Sequence, residues 1–428
     1  MTDKRPHPTR TVSDVSPRFN NINSLVAATN KNDRFKLLED ESITLGDLDN
    51  PIHPIFRSLD CDGPRKRTFQ LASQFLTFDS VLAFFIPLLY GHELTDSRSG
   101  KTYLSDPSAN VSDAKRNNYI TGIHKALRCL AHCVEIRFEK PEKRRKVGVR
   151  IEIADVFDDF YNDGGGYAAS SHCGQLRHDF LFAVTILHEI VHAVGVMRRG
   201  HLVEPCCRLQ DPDIEWGYSW ENFMFGGIIN PQDRTRPGTH LLMRKIWAGS
   251  KIADAAGGKE YCDVPMSYVA QWFCKSTWEI IEKSDPTAIP LPVSHFKIQA
   301  SMKLNRWIVL TDCKDTRQSI RDLQREWNQR AREEEANGRP QATSHKITWR
   351  LRTKEQLQES NVPIPLRVAR RRGSLNKCLK GAKKIQGAPQ QEPLAVCRSS
   401  SPNKARNSRK RGADPCQESD RPSKVIKQ

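Results

Sequence analysis

Apolar and polar positions divide the chain into three stretches. From Met1 to about Asp60 the chain is rich in Thr, Asn, Asp, Ser and Pro with no sustained period, which predicts a disordered N-terminal arm, 1–60. Apolar residues then recur at regular spacing to about residue 295, which predicts one folded domain, 61–295. Beyond Pro290 the core signal weakens. Residues 296–340 read as a charged helical extension, with its helix over Asp315–Asn337, and 341–428 read as a disordered basic tail.

Within the folded stretch, Thr68–Tyr90 reads as buried helix. Its most apolar run, Val81–Tyr90, is too short for a membrane span and contains Pro87. No membrane partner is therefore expected. Ile120, Ile123, Leu127 and Leu130 give helical spacing to Asn118–His132. Cys133–Phe138 and Val147–Ala154 alternate instead, and the charged link between them predicts an antiparallel hairpin. Tyr167-Ala-Ala-Ser reads as a short edge strand that could hold an extended peptide.

Asp179–Val194 is the strongest helix, apolar on nearly every face, with Gly195 at the position of a C-terminal cap. Asp211-Pro212 supplies an N-cap and a first-turn proline for a further helix to about Phe225, ended by Gly226-Gly227. Thr239–Ala248 and Met266–Glu282 also read as helices. The resulting fold class is α+β, with a buried central helix, a small antiparallel sheet and disordered ends.

Past its first turn the Asp179–Val194 helix carries three titratable residues, His188, Glu189 and His192. They form an H-E-x-x-H motif. Residues four apart share a helix face, so both imidazoles can reach one ion, and zinc accepts neutral imidazole nitrogen with a preference for four ligands. Glu189 contributes no ligand but sits beside the first histidine, where it can take a proton from a water at the ion and pass it to a leaving amine. Two core histidines and a glutamate with ordinary partners are the bland alternative, disfavoured because each such group costs kilocalories if buried unpaired.

The third ligand stays open at this point. An extended motif with a third histidine is ruled out because Arg198 stands at that position, and His201 could serve only if the loop doubles back. Glu215 and Glu221 lie on the next helix. They are six residues apart, about 240° of rotation, so both cannot face one ion. Glu215 has Gly217 and Ser219 near it, which favours close helix approach, so Glu215 is the preferred ligand. Glu221 is the alternative ligand, or an outer partner that orients a histidine. Tyr218 and Tyr268 are possible donors to an oxyanion. Cys206 and Cys207, being adjacent, suit packing better than one tetrahedral ion.

The motif on a buried helix, followed by a helix with glutamates, resembles the gluzincin branch of the zincin metallopeptidases. Arg177–Ile229 is also similar to a group of HExxH proteins of filamentous fungi, through H-E-I-V-H-A, E-P-C-C and E-W-G-Y-S-W-E-N…F-G-G. The resemblance spans at most a third of the chain. It implies a zincin-like fold with the hairpin and an edge strand beside the active-site helix, and it implies no particular substrate.

Charge changes the picture only at the end of the chain. Residues 364–428 hold 17 Lys or Arg and 4 Asp or Glu, so most of the chain's net +17 belongs to the tail. Arg370-Arg371-Arg372 and the cluster Lys404 to Arg411 fit a nuclear import signal or non-specific contact with nucleic-acid phosphates. Twelve scattered cysteines without a C-x-x-C pair, and a polar N-terminus, fit reduced thiols in a nuclear or cytoplasmic protein. The expected activity is zinc-dependent hydrolysis of a peptide or protein substrate. The alternative is an inactive zincin scaffold kept for binding, associated with nucleic acid through the tail.

Overall fold

A single helix at the centre organises the first half of the molecule. The computed structural model describes residues 17–139, 150–162, 164, 166–231, 241–301, 306–338 and 346–358. Residues 359–428 of the expected tail and the residues between the expected hairpin strands lie outside them, whereas 346–358, expected to be disordered, form a strand paired with the sheet and a short helix. In chain order come α1 (Pro17–Thr29), α2 (Lys66–Gln74), α3 (Asp79–Leu82), α4 (Phe85–Tyr90), the short hairpin β1 (Glu93–Thr95) and β2 (Thr102–Leu104), and α5 (Asp113–Cys133). Next are β3 (Glu135–Glu139), β4 (Arg150–Ala154), α6 (Val156–Asp159) and the central α7 (His172–Arg199). After α7 follow α8 (Trp216–Phe225), β5 (Ile228–Pro231), β6 (Leu242–Lys245), α9 (Ser250–Ala256), β7 (Lys259–Asp263), α10 (Met266–Gln271) and α11 (Lys275–Lys283). The last elements are β8 (Phe296–Ser301), β9 (Arg306–Thr311), α12 (Thr316–Ala336), β10 (Lys346–Leu351) and α13 (Lys354–Gln358). The fold is mixed helix and sheet, compatible with the α+β class.

α7 is longer than its apolar pattern predicts. Ser171 caps its start by accepting from the Gly174 N–H at 3.1 Å, and Gly200 ends it with a left-handed φ of 74°. Gly195 is therefore not the cap. A Cβ there would lie 1.6 Å from the Trp216 ring, so the glycine lets α8 pack directly on α7. α7 is long and apolar enough to cross a membrane, but 67% of its most apolar window is buried inside the protein, as for a core helix. Its Phe180 and Phe182 join Phe69, Phe75, Trp220 and Trp272 from other elements in the larger core.

Several expectations give way to tertiary structure. β3 and β4 pair parallel, Glu135 opposite Arg150, and not as an antiparallel hairpin. The ten residues that join them are enough to carry the chain back past a five-residue strand, since extended chain spans about 3.3 Å per residue. Tyr167 lies in a turn and not on an edge strand; its hydroxyl is committed to Asp179 at 2.8 Å and to Arg67. Thr239–Ala248 was expected to be helical, but its described part contains β6, whose Leu242, Met243 and Arg244 are buried between β5 and β7. Pairing on both sides overrides a helical preference of this size.

The largest difference lies at the two ends of the described chain. A six-stranded sheet runs in the order β10-β9-β8-β7-β6-β5, antiparallel except for the β10–β9 pair. It includes β8 and β9, which the sequence assigns to a helical extension. Of that extension only α12 is helical. Leu25, Val26, Phe35 and Leu37, expected in a disordered arm, join Phe296, Ile298, Val309, Ile320 and Trp327 in a second core. Their spacing has no period because much of this segment is loop, held by Asp33, whose carboxylate accepts from the N–H groups of Leu37, Leu38 and Glu39.

Candidate metal centre

α7 delivers His188, Glu189 and His192 to one end of the helical core, and α8 delivers the third group. α8 does not open at Asp211-Pro212. Asp211 instead clamps the preceding loop, accepting from the Arg208 N–H at 3.0 Å and from the Ser219 hydroxyl at 2.9 Å. The N-cap is Glu215, in extended conformation, and its Oε2 accepts from the Tyr218 N–H. Its Oε1 is left to face α7. The Nε2 atoms of His188 and His192 both lie 2.9 Å from that oxygen. Gly217 leaves room for this arrangement, since a Cβ there would come within 2.4 Å of the His188 ring.

The other ring nitrogens are held as firmly. Glu221, almost fully buried, lies 2.7 Å from His188 Nδ1 and accepts from the Ile229 N–H at 2.8 Å. Glu215 and Glu221 thus meet opposite nitrogens of one imidazole, as their rotation around the helix requires. Glu204, which sequence reasoning did not single out, lies 2.5 Å from His192 Nδ1 and accepts from the Trp216 N–H at 3.0 Å. Its only sequence signal is its place in the E-P-C-C string.

Three carboxylates around two imidazoles make a site that calls for positive charge. Burial lowers the proton affinity of His188, but its hydrogen bonds to Glu215 and Glu221 outweigh that and raise its pKa to about 10. His192 is likewise held at about 9 by Glu204 and Glu215 against the effect of burial. Burial opposes the charge of Glu215 too, yet the two imidazoles pull its pKa down to about 2. A divalent cation answers the same demand with the imidazoles neutral.

The donor set suits zinc. One atom from each of His188, His192 and Glu215 lies within 4.8 Å of the others, and two nitrogens with one carboxylate is a catalytic zinc set that leaves a position open. Carboxylates on the distal ring nitrogens, as Glu221 and Glu204 provide, are the usual outer partners of zinc-binding histidines.

The remaining candidates fall into place around this cluster. Glu189 is half-buried, and its carboxylate has no hydrogen bond or ion pair among the described residues. The Tyr218 ring stands 5.2 Å from the His188 ring, with Trp247 at 6.4 Å and Lys245 Nζ at 5.9 Å from it. Tyr268 is not with them: it is buried in the larger core, its ring 6.0 Å from that of Trp272. His201 lies on an exposed loop outside the cluster, its Nδ1 accepting from the Val203 N–H at 3.3 Å. Cys206 and Cys207 are both buried, and burial pushes the Cys207 thiol up to about 12, as for a packing residue. Comparison of the chain with protein-family models, with curated proteins and with solved structures finds no match.

Proposed function

We propose that this protein is a zinc-dependent peptide hydrolase with a zincin-like catalytic domain. The observation that carries the reading is the convergence of His188 Nε2 and His192 Nε2 on one oxygen of Glu215, 2.9 Å from each, with both distal nitrogens tied to carboxylates. Zinc, when bound, supplies Lewis-acid polarisation of a substrate carbonyl and makes water more acidic.

The chain's own residues divide the remaining work. His188, His192 and Glu215 hold the ion, and Glu221 and Glu204 fix the tautomer and ring orientation of the two histidines. Glu189 is the general base. It takes the proton of the attacking water as oxygen bonds to the carbonyl carbon, and returns it to the amine nitrogen when the C–N bond breaks. Among the described residues its carboxylate has no hydrogen bond or ion pair, which leaves it available to a water and supports this role. Tyr218, whose ring stands 5.2 Å from that of His188, is the proposed donor to the oxygen that gains charge. Leu202, Val203 and Ile214 stand exposed on the loops that carry Glu204 and Glu215. The basic clusters of the tail support a nuclear address, with cytoplasm as the alternative.

Glu189→Gln tests the proposal against a scaffold kept only for binding. The variant should retain zinc by elemental analysis and lose peptide-library cleavage by about 100-fold or more. Cleavage that survives the substitution, or that is missing from the zinc-loaded wild type, contradicts it.

A further inference from the structure

The outer edge of the sheet carries a second feature, independent of the metal centre. α12 lies beside β10, the outermost strand, and between them runs a groove of about 590 Å³. Arg317, Arg321 and Arg325 stand along one wall at four-residue spacing, with Trp349 and Ile347 opposite. On a helix that spacing places the three side chains in a row, about 6 Å apart along the axis. Among the described residues, no acidic side chain lines the groove. Arg321 has no ion-pair partner among the described residues. Arg325 pairs only with Asp322, both largely exposed, an arrangement of little strength in water.

The aromatic member is held in place. Trp349 Nε1 donates to the Thr316 hydroxyl at 2.9 Å, and the Arg317 guanidinium sits 6.0 Å from its ring centre. Gln324 accepts from the Ile347 N–H, so that part of the strand edge is already closed to a further strand. An extended acidic peptide would need those main-chain groups. A polyanion whose charges lie on its backbone and whose flat groups stack does not.

We infer that this groove binds single-stranded nucleic acid, with phosphates along Arg317, Arg321 and Arg325 and a base against Trp349. A charged track beside an aromatic platform is the general arrangement for such strands. The basic tail contributes its own contacts, so the test must read the groove separately.

Full-length protein is to be photocrosslinked to a short single strand carrying 5-iodouracil, and the crosslinked peptides mapped. Binding of a labelled oligo-dT is then followed across salt for wild type and for the triple variant Arg317→Gln, Arg321→Gln, Arg325→Gln. The tail is common to both proteins. The inference expects crosslinks at Trp349. The variant should show a salt slope shallower by about 2 and affinity lower by about 100-fold near 0.1 M salt, as three lost phosphate contacts on a single strand require. Crosslinks confined to 364–428, an unchanged slope, duplex bound as tightly as single strand, or displacement of the oligonucleotide by polyglutamate at equal charge would each overturn it.

Discussion

α7 carries histidines at both ends of its buried stretch, and the two ends treat them in opposite ways. His178 is fully buried among Phe157, Phe160, Tyr161, Tyr167 and Phe182, and its ring nitrogens meet no side-chain partner among the described residues. Burial pulls its pKa down to about 3, against a main-chain hydrogen bond with Phe157 that acts the other way. Ten residues on, His188 is raised to about 10 because carboxylates stand at both ring nitrogens. Asp179, beside His178, is also sealed, paired with Arg67 at 2.7 Å and bonded by the Tyr161 and Tyr167 hydroxyls. A histidine on this helix is thus packing where its neighbours are aromatic, and part of a candidate cation site where they are acidic. Residue type does not separate the two; the surrounding elements do.

The comparison is broken most sharply by exchanging the two kinds of histidine. His192→Ala should weaken zinc binding by more than the roughly 10–100-fold typical of an outer partner. His178→Leu, similar in volume, should leave zinc binding unchanged and cost less than about 1.5 kcal/mol of stability. Competition with a chromophoric chelator and denaturant melts give the two numbers. Equal loss of zinc in both variants would erase the distinction.

Next in size come the outer carboxylates. Glu221→Gln and Glu204→Gln should each lower zinc affinity by about 10–100-fold while leaving stoichiometry unchanged. Glu215→Ala should cost more than either. Glu221→Ala exceeding Glu215→Ala would reverse the assignment of ligand and outer partner.

The pH response should then carry opposite signs from the two ends. His178, depressed below its unfolded value of about 6.5, takes up a proton more readily on unfolding, so stability falls as pH drops below that value. His188 and His192, raised to about 10 and 9, stabilise the zinc-free protein fully below about 6.5, and that contribution is lost as pH rises through their folded values. Zinc requires the neutral rings and displaces those protons, so its own stabilisation should grow over the same range. Thermal melts from pH 6 to 9, with zinc or with EDTA, should show curves that diverge as pH rises. Parallel curves would mean that the histidines do not exchange protons for metal.

Legibility in the sequence follows how local each feature is. His188 and His192 are one turn apart on a helix whose apolar pattern is unmistakable, so one element specifies both. Glu215 is readable less directly: it caps α8 and does not sit one turn inside it, and the reading found it through Gly217, whose missing side chain the His188 ring occupies. Glu204 is not readable. It reaches His192 because the loop after α7 is tied to β2, where the Cys206 N–H donates to the Thr102 carbonyl and the Cys206 carbonyl accepts from the Leu104 N–H, and no local pattern encodes that path. The sheet fails for a different reason. β7 and β8 bury the Lys297–Glu260 pair, 3.1 Å apart with side chains 1% and 0% exposed, so charged residues stand where the pattern expects solvent. Buried ion pairs of this kind hide a strand from any reading of hydrophobic alternation.

The central claim is that His188, His192 and Glu215 form one zinc site, and X-ray absorption on the purified full-length protein tests it most directly. Elemental analysis of the same sample should give about one zinc per chain, and the spectrum should show two imidazole nitrogens at about 2.0–2.1 Å with carboxylate oxygen completing the protein ligands. Absence of any bound transition metal after saturation and desalting, or a coordination shell dominated by sulfur, would contradict it.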